Sequence, residues 1–257
     1  MTSRADLPSP LELSIVIPAF NEEARLPLTL ARLEQYVTAH KLCAEVIVVN
    51  DGSADGTAAA ALHFPASFAL RVLDNPGNRG KGYSVRHGVL AARGRYVLFT
   101  DADLSAPITE MAKLRAALES GADIAIGSRA QPALIDNHQS RFREAAGRLF
   151  NRLVVLALQL PYRDTQCGFK LFRRAAAAAI FPLQQVEGWG FDPELLFLAR
   201  LQGWRVAEVP VRWSHAEGAK IHLFRDSLRM FADLARIRWN ALRGRYRTVP
   251  AGRSAVA

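Results

Sequence analysis

Two carboxylates separated by one residue, Asp101 and Asp103, follow the apolar run YVLFT at 96–100, so a buried strand would deliver both to one loop. Hard oxygen donors in that arrangement suit a small divalent cation, Mg²⁺ or Mn²⁺, with the rest of its shell left to phosphate oxygens and water. The same two acids could instead cap the next helix. Carboxylates also close two other apolar runs: Asn21 with Glu22 after LSIVI at 13–17, and Asp51 after AEVIVVN at 44–50. The stretch NPGNRGKG at 75–82 sets three glycines and the cations Arg79 and Lys81 just before a helical segment, a loop fit to cradle a diphosphate. Its spacing is not that of a P-loop, and no GxGxxG follows the first strand. Both facts count against nucleotide hydrolases and dinucleotide dehydrogenases.

The elements that must position these residues alternate in type. A strand at 13–17, stopped by Pro18, precedes a helix over 23–40 whose Leu26, Leu30, Leu33 and Val37 form one stripe. Strands follow at 44–51, 68–74, 95–103 and 122–129, with helices near 82–92 and 108–120. Strands alternating with helices imply an α/β fold with a mostly parallel sheet covered on both faces, whose ligands bind beyond the carboxyl ends of the strands. The acids listed above stand at those ends. The second half predicts a helix at 141–160, a short strand at 169–172, a helix after Arg173, a helix near 194–202 and a strand at 205–213, all extending one sheet.

A chain of 257 residues, 50% hydrophobic, can bury one large core. Its net charge of +9 is uneven, because the segment from Lys220 onward holds nine basic residues against Asp226 and Asp233. Such a surplus points to an anionic partner, nucleic acid or membrane. From 221 to 246 apolar residues interleave with arginines at helical spacing, as in a helix lying among anionic headgroups, and no nucleic-acid motif accompanies them. Membrane is therefore expected and nucleic acid is not. Cys43 and Cys167 belong to no CxxC or Cys/His cluster, which argues against a disulfide scaffold or structural zinc. No apolar run reaches bilayer-spanning length and the first ten residues lack a signal-type stretch, so the expected location is cytoplasmic, peripheral on the inner face of the membrane.

The motifs LSIVIPAFNEE, VIVVNDGSADGT, NRGKGYSVRHG and YVLFTDADLSAP, in this order, resemble those of family-2 inverting glycosyltransferases. GSR at 127–129, RFREAAGRLFN at 141–151, DTQCGFKLF at 164–172 and WGFDPELL at 189–196 resemble dolichyl-phosphate glucose synthases and their bacterial polyprenyl-phosphate relatives. The resemblance, which runs from Leu13 to about Trp213, implies a GT-A fold, a Rossmann-like three-layer αβα domain expected over 1–220; the spacing described above makes 221–257 an amphipathic basic membrane-interface segment. It implies a nucleotide-sugar donor, with UDP-glucose favoured, a polyprenyl phosphate acceptor and a metal held by Asp101 and Asp103, the latter the more direct ligand. Pro18, Phe20 and Glu22 would line the nucleoside pocket, Asp51 would accept from the base, and Lys81 and Lys220 would lie near the phosphates. Arg129 and Arg143 would grip the lipid phosphate.

Gln166, Trp189 and Asp192 fall in acceptor-side motifs, where they could meet the sugar; Asp192 could equally cap its helix. Mannose-type relatives carry Gln where this chain has Ser105. A mannose synthase using a GDP donor, transfer to a hydroxyl with Asp192 as base, and a non-catalytic scaffold remain the alternatives.

Overall fold

The computed structural model describes residues 11–137, 141–215 and 223–246. Its seven-stranded sheet is built from β1 (Leu13–Ala19), β2 (Ala44–Asn50), β3 (Ala69–Asp74), β4 (Tyr96–Thr100), β5 (Ile124–Ser128), β7 (Phe169–Arg173) and β8 (Val206–Pro210), while β6 (Ile135–Asn137) and β9 (Trp213–Ser214) form a small second sheet. The helices are α1 (Leu26–Ala39), α2 (Thr57–Leu62), α3 (Lys81–Ala91), α4 (Met111–Glu119), α5 (Arg141–Leu158), α6 (Arg174–Ile180), α7 (Phe191–Leu201) and α8 (Leu223–Leu242).

Period-two alternation divides each central strand between two cores. Ile15, Ile17, Val46, Val48 and Leu98 face α1 and α4, whose Leu30, Leu33, Leu114 and Leu118 are fully buried against them. Val16, Ile47, Val49 and Phe99 face the opposite layer, where α3, α6 and α7 contribute Val85, Ile180 and Leu198. Strands buried on both faces explain why the sequence shows near-continuous β-branched runs there.

Sheet order is β3-β2-β1-β4-β7-β5-β8. The late strand β7 is inserted antiparallel between β4 and β5, pairing Phe99 with Lys170 on one side and Ile126 with Lys170 on the other. The sequence predicts that the second half extends one mostly parallel sheet; only long-range pairing reveals that its first strand enters between β4 and β5 and runs antiparallel. The expected strand at 205–213 is two strands, β8 and β9, separated after Pro210, and α2 and β6 were not anticipated. The helix expected to 160 stops at Leu158, and Gln159 takes a left-handed φ of 53°.

The basic C-terminal helix is not detached. Leu234, Ile237 and Asn240 of α8 and Tyr246 beyond it are buried, and the Tyr246 hydroxyl donates to Glu194 Oε1 at 2.6 Å. Glu194 also accepts from the backbone N–H groups of Gln185 (3.0 Å) and Val186 (2.8 Å), so one buried carboxylate ties α7, the preceding loop and the C-terminal segment together.

Close packing of α3 on the sheet depends on Gly88. A Cβ there would collide with Val16 and lie 2.9 Å from Val49 Cγ2. Gly88→Ala should therefore lower unfolding free energy by about 1–3 kcal/mol, read from urea midpoints, despite alanine's better helix propensity.

Candidate active site

β1 continues through β2 and β3 on one side and is bordered by β4 on the other, so a crevice opens where their carboxyl ends part. The acids read from the sequence gather at this edge, in different states. Asp51 is 4% exposed and anchors the glycine-rich loop: Oδ1 accepts from Asn75 Nδ2 (2.7 Å) and the Arg79 N–H (2.8 Å), and Oδ2 from the Gly80 N–H (2.8 Å). Asp51 thus holds the loop in this structure, and the loop's amide donors at 79 and 80 turn inward onto it. Gly80 has a φ of 103° and a Cβ there would lie 2.7 Å from the Glu187 carbonyl, so the loop packs directly on the segment before α7.

That geometry delivers Lys81 to the metal-type acids. Its Nζ lies 2.5 Å from Asp101 Oδ1 and 5.1 Å from the centre of the half-exposed Trp189 ring. Burial disfavours the ammonium, yet Asp101, Asp192 and Asp103 outweigh it and raise the Lys81 pKa. Asp101 also lies so close to Gly168 that a Cβ there would overlap its carboxylate, so the acid's position requires a glycine at 168. Asp103 Oδ1 accepts from the Ser105 N–H at 2.9 Å, closing the turn in which Leu104 has a φ of 47°. Among the described residues no cluster of three His, Cys, Asp or Glu side chains forms a self-sufficient metal cage. Two carboxylates of one loop fit a hard divalent ion that takes its other ligands from phosphate and water.

Asp192 sits below this pair, 3% exposed, in an ion pair with Lys170, which is fully buried and also donates to the Cys167 carbonyl at 2.6 Å. Burial pushes the Asp192 carboxyl up, and the ammonium groups of Lys170 and Lys81 oppose that. Asp192 does not cap α7, since Gly190 occupies the N-cap with no side-chain cap bond. Phe191 is core, 5.7 Å from Phe99 between ring centres. Neither Lys170 nor Gly168 was singled out from the sequence; a lysine in an apolar strand gives no spacing signal of its own.

Arg129, at the end of β5, is gripped by Asp164 through Nε (2.7 Å), Nη2 (2.9 Å) and its own backbone N–H (2.9 Å). Its guanidinium also lies 5.6 Å from the Trp213 ring centre. Gln166 donates its backbone N–H to Asp164 Oδ1 at 3.1 Å. At the end of β1, Pro18 is half-buried, Phe20 is 36% exposed, and Glu22 pairs with Arg25 at 2.6 Å. Arg143 belongs to α5 but its side chain lies outside the described residues, as does Lys220 entirely. The structure therefore brings Lys81, Asp101, Asp103, Trp189 and Asp192 to one place, with Arg129 at the end of β5, on the far side of the inserted β7.

Burial would raise the Asp164 pKa, but Arg129 more than offsets this and holds it at about 2, below the ordinary 3.8. A carboxyl that binds its proton less tightly when folded stabilises the fold above the unfolded value and loses that contribution as pH falls. Asp164→Asn should be at least about 2 kcal/mol less stable near pH 7, and its stability should fall less steeply than the parent's between about pH 4 and 2 in denaturant titrations.

Comparison with known proteins agrees with this geometry. The family model described as glycosyl transferase family 2 matches residues 14–181. A dolichyl-phosphate beta-glucosyltransferase from Drosophila melanogaster is 43% identical over 95% of this chain and 79% of its own length. The Homo sapiens enzyme of the same name is 37% identical, over 92% and 78%. Among solved structures, mannosyl-3-phosphoglycerate synthase from Rubrobacter xylanophilus superposes with a TM-score of 0.69 at 18% identity, covering 96% of this chain and 79% of that one. Glucosyl-3-phosphoglycerate synthase from Mycobacterium tuberculosis, crystallised with Mn²⁺, UDP and glucosyl-3-phosphoglycerate, gives 0.67 at 20%, covering 88% and 79%. By the family match, the length of the shared sequence and the α/β sheet that carries the site, this chain belongs to glycosyl transferase family 2.

Proposed function

We propose that the chain moves glucose from UDP-glucose onto dolichyl or another polyprenyl phosphate, with inversion at the anomeric carbon, at the inner face of a membrane. The convergence of Asp101, Asp103 and Lys81 at one strand end is the observation that carries this reading. The near full-length similarity to dolichyl-phosphate beta-glucosyltransferases selects the lipid-phosphate acceptor among family-2 chemistries.

Cleavage at the anomeric carbon leaves negative charge on the departing diphosphate, so stabilising that charge is the main demand on the site. Asp103 and Asp101 would hold a Mg²⁺ or Mn²⁺ ion, which would supply a Lewis acid there. Lys81 adds a second positive charge on the same side, positioned by the loop that Asp51 anchors. A phosphate acceptor is already an anion near neutral pH and needs cations to orient it, with no strong base. Arg129 is the cation best placed for that, its orientation set by the fork to Asp164. Asp192, the base that a hydroxyl acceptor would require, is buried and bound to Lys170, which supports the phosphate reading over transfer to a sugar hydroxyl.

The membrane side of the proposal rests on two packed helices. Among the described residues no helix is long and apolar enough to cross a membrane. Leu149, Leu153 and Leu156 are exposed along α5, and Phe231, Trp239 and Leu242 along α8, the helices meeting where the Phe150 and Phe231 rings approach to 5.2 Å. Exposed arginines at 152, 238, 243 and 245 flank these stripes. Apolar area bordered by arginine suits the boundary between acyl chains and anionic headgroups.

Purified protein incubated with Mg²⁺, a short polyprenyl phosphate and a panel of nucleotide sugars should form lipid-linked glucose from UDP-glucose. Asp103→Ala should cut the rate by at least about 100-fold. No lipid product with any donor sinks the reading, and product from GDP-mannose alone shifts it to the mannose type. In co-sedimentation with anionic vesicles, replacing Trp239 and Leu242 by serine should release the protein into the supernatant while its thermal unfolding stays unchanged within a few degrees, since these side chains are exposed. Undiminished sedimentation would remove α8 from the membrane contact.

A further inference from the structure

Lys81 occupies an unusual place for a donor-binding lysine. Its side chain is 13% exposed, its ammonium lies 2.5 Å from Asp101 Oδ1, and Asp103 and Asp192 act on it from the same pocket. Asp192 is already neutralised by the fully buried Lys170, so Lys81 is left to balance the loop acids, and it sits on the oxygen that a metal at Asp101 would need. Gly168, lacking a Cβ, leaves the room that the Asp101 carboxylate occupies in this contact.

We propose that Lys81 is the resident counter-cation of the metal site, competing with the divalent ion for Asp101 until a nucleotide diphosphate arrives. This inference rests on the metal reading of Asp101 and Asp103. A charge-assisted contact must be broken for Asp101 to coordinate, which weakens metal binding in the protein alone. The diphosphate supplies a new anionic partner for the displaced ammonium, and that partner removes the competition. Metal and nucleotide then bind in concert: each raises the affinity for the other by the same factor, as linkage requires. The arrangement also keeps two adjacent carboxylates from repelling one another while no donor is present.

Holding Lys81 ready by charge has a geometric basis. Its loop is fixed by Asp51 at the Arg79 and Gly80 amides, and the Trp189 face lies beside the ammonium, so the side chain has a short path between Asp101 and a diphosphate entering along the strand ends.

Mn²⁺ binding followed by electron paramagnetic resonance, with and without UDP, tests the idea independently of turnover. Wild-type protein should bind Mn²⁺ weakly alone and markedly more tightly with UDP. Lys81→Gln should bind Mn²⁺ alone about tenfold more tightly than wild type and gain much less from UDP. Lys81→Arg, which keeps the charge, should stay close to wild type without nucleotide. Unchanged or weaker Mn²⁺ binding by Lys81→Gln in a protein with wild-type circular dichroism overturns the proposal, and a Lys81→Met variant giving the same result excludes an effect peculiar to glutamine. If the wild-type chain takes up no Mn²⁺ even with UDP, the metal reading falls and this inference with it. If uptake with UDP is normal and is lost in Asp103→Ala, the metal reading stands and the Lys81 variants alone decide.

Discussion

Three carboxylates, Asp101, Asp103 and Asp192, share the space below the end of β4, and two ammonium groups lie among them. Lys170 makes the deeper pair with Asp192, and Lys81 the outer one with Asp101. A fully buried lysine without a partner would be strongly destabilising, and a buried aspartate left alone would take up a proton. The insertion of β7 between β4 and β5 is what places Lys170 under the site, and the Cys167 carbonyl accepting from its Nζ fixes the ammonium's position. Strand order, side-chain charge and the placement of the loop acids are therefore one problem with one solution.

Much of the first half was legible in the sequence because its signals are local. β-branched runs ending in Asp51 or Asp101 announce buried strands, and the stripe of Leu26, Leu30, Leu33 and Val37 announces the helix that covers them. The partners of those residues were not legible. Asp164 lies thirty-five residues from Arg129, and Tyr246 fifty-two from Glu194, so no periodicity links either pair. Gly168 reads as an ordinary turn glycine until Asp101 is found against it. The site's acids could be found one by one, while the states they occupy depend on contacts that only the closed sheet creates.

The C-terminal helix shows the same limit of a charge count. Its arginines signalled an anionic surface, but the pattern also hid a second apolar side. Leu234, Ile237 and Tyr246 complete the core beside α7, while Phe231, Trp239 and Leu242 remain outside. Asp233 lies between these sides, half-buried, its carboxyl accepting from the Gly190 N–H and crowding a position where a Cβ would collide. A helix held at Gly190 and Glu194 is joined to the segment that carries Trp189 and Asp192. An outer face resting on lipid would therefore be tied through α8 to the segment that carries Trp189 and Asp192.

Arg129 illustrates why satisfied charges still serve a site. Its Nε and Nη2 are spent on Asp164, and its guanidinium carbon lies 5.6 Å from the Trp213 ring centre, so the fork to Asp164 holds a rotamer that a free arginine would have to select on binding an anion. Nη1 stands outside that fork. Ordering a long side chain during binding costs roughly 0.5–1.5 kcal/mol, and here the fold has met that cost in advance. On the proposed metal site the same logic would apply to Lys81 with the opposite sign: metal binding would take its partner Asp101 away, so the contact that orders the lysine would also oppose the metal. Prior pairing lowers the cost of recognition when the partner stays, and couples two ligands when the partner must leave.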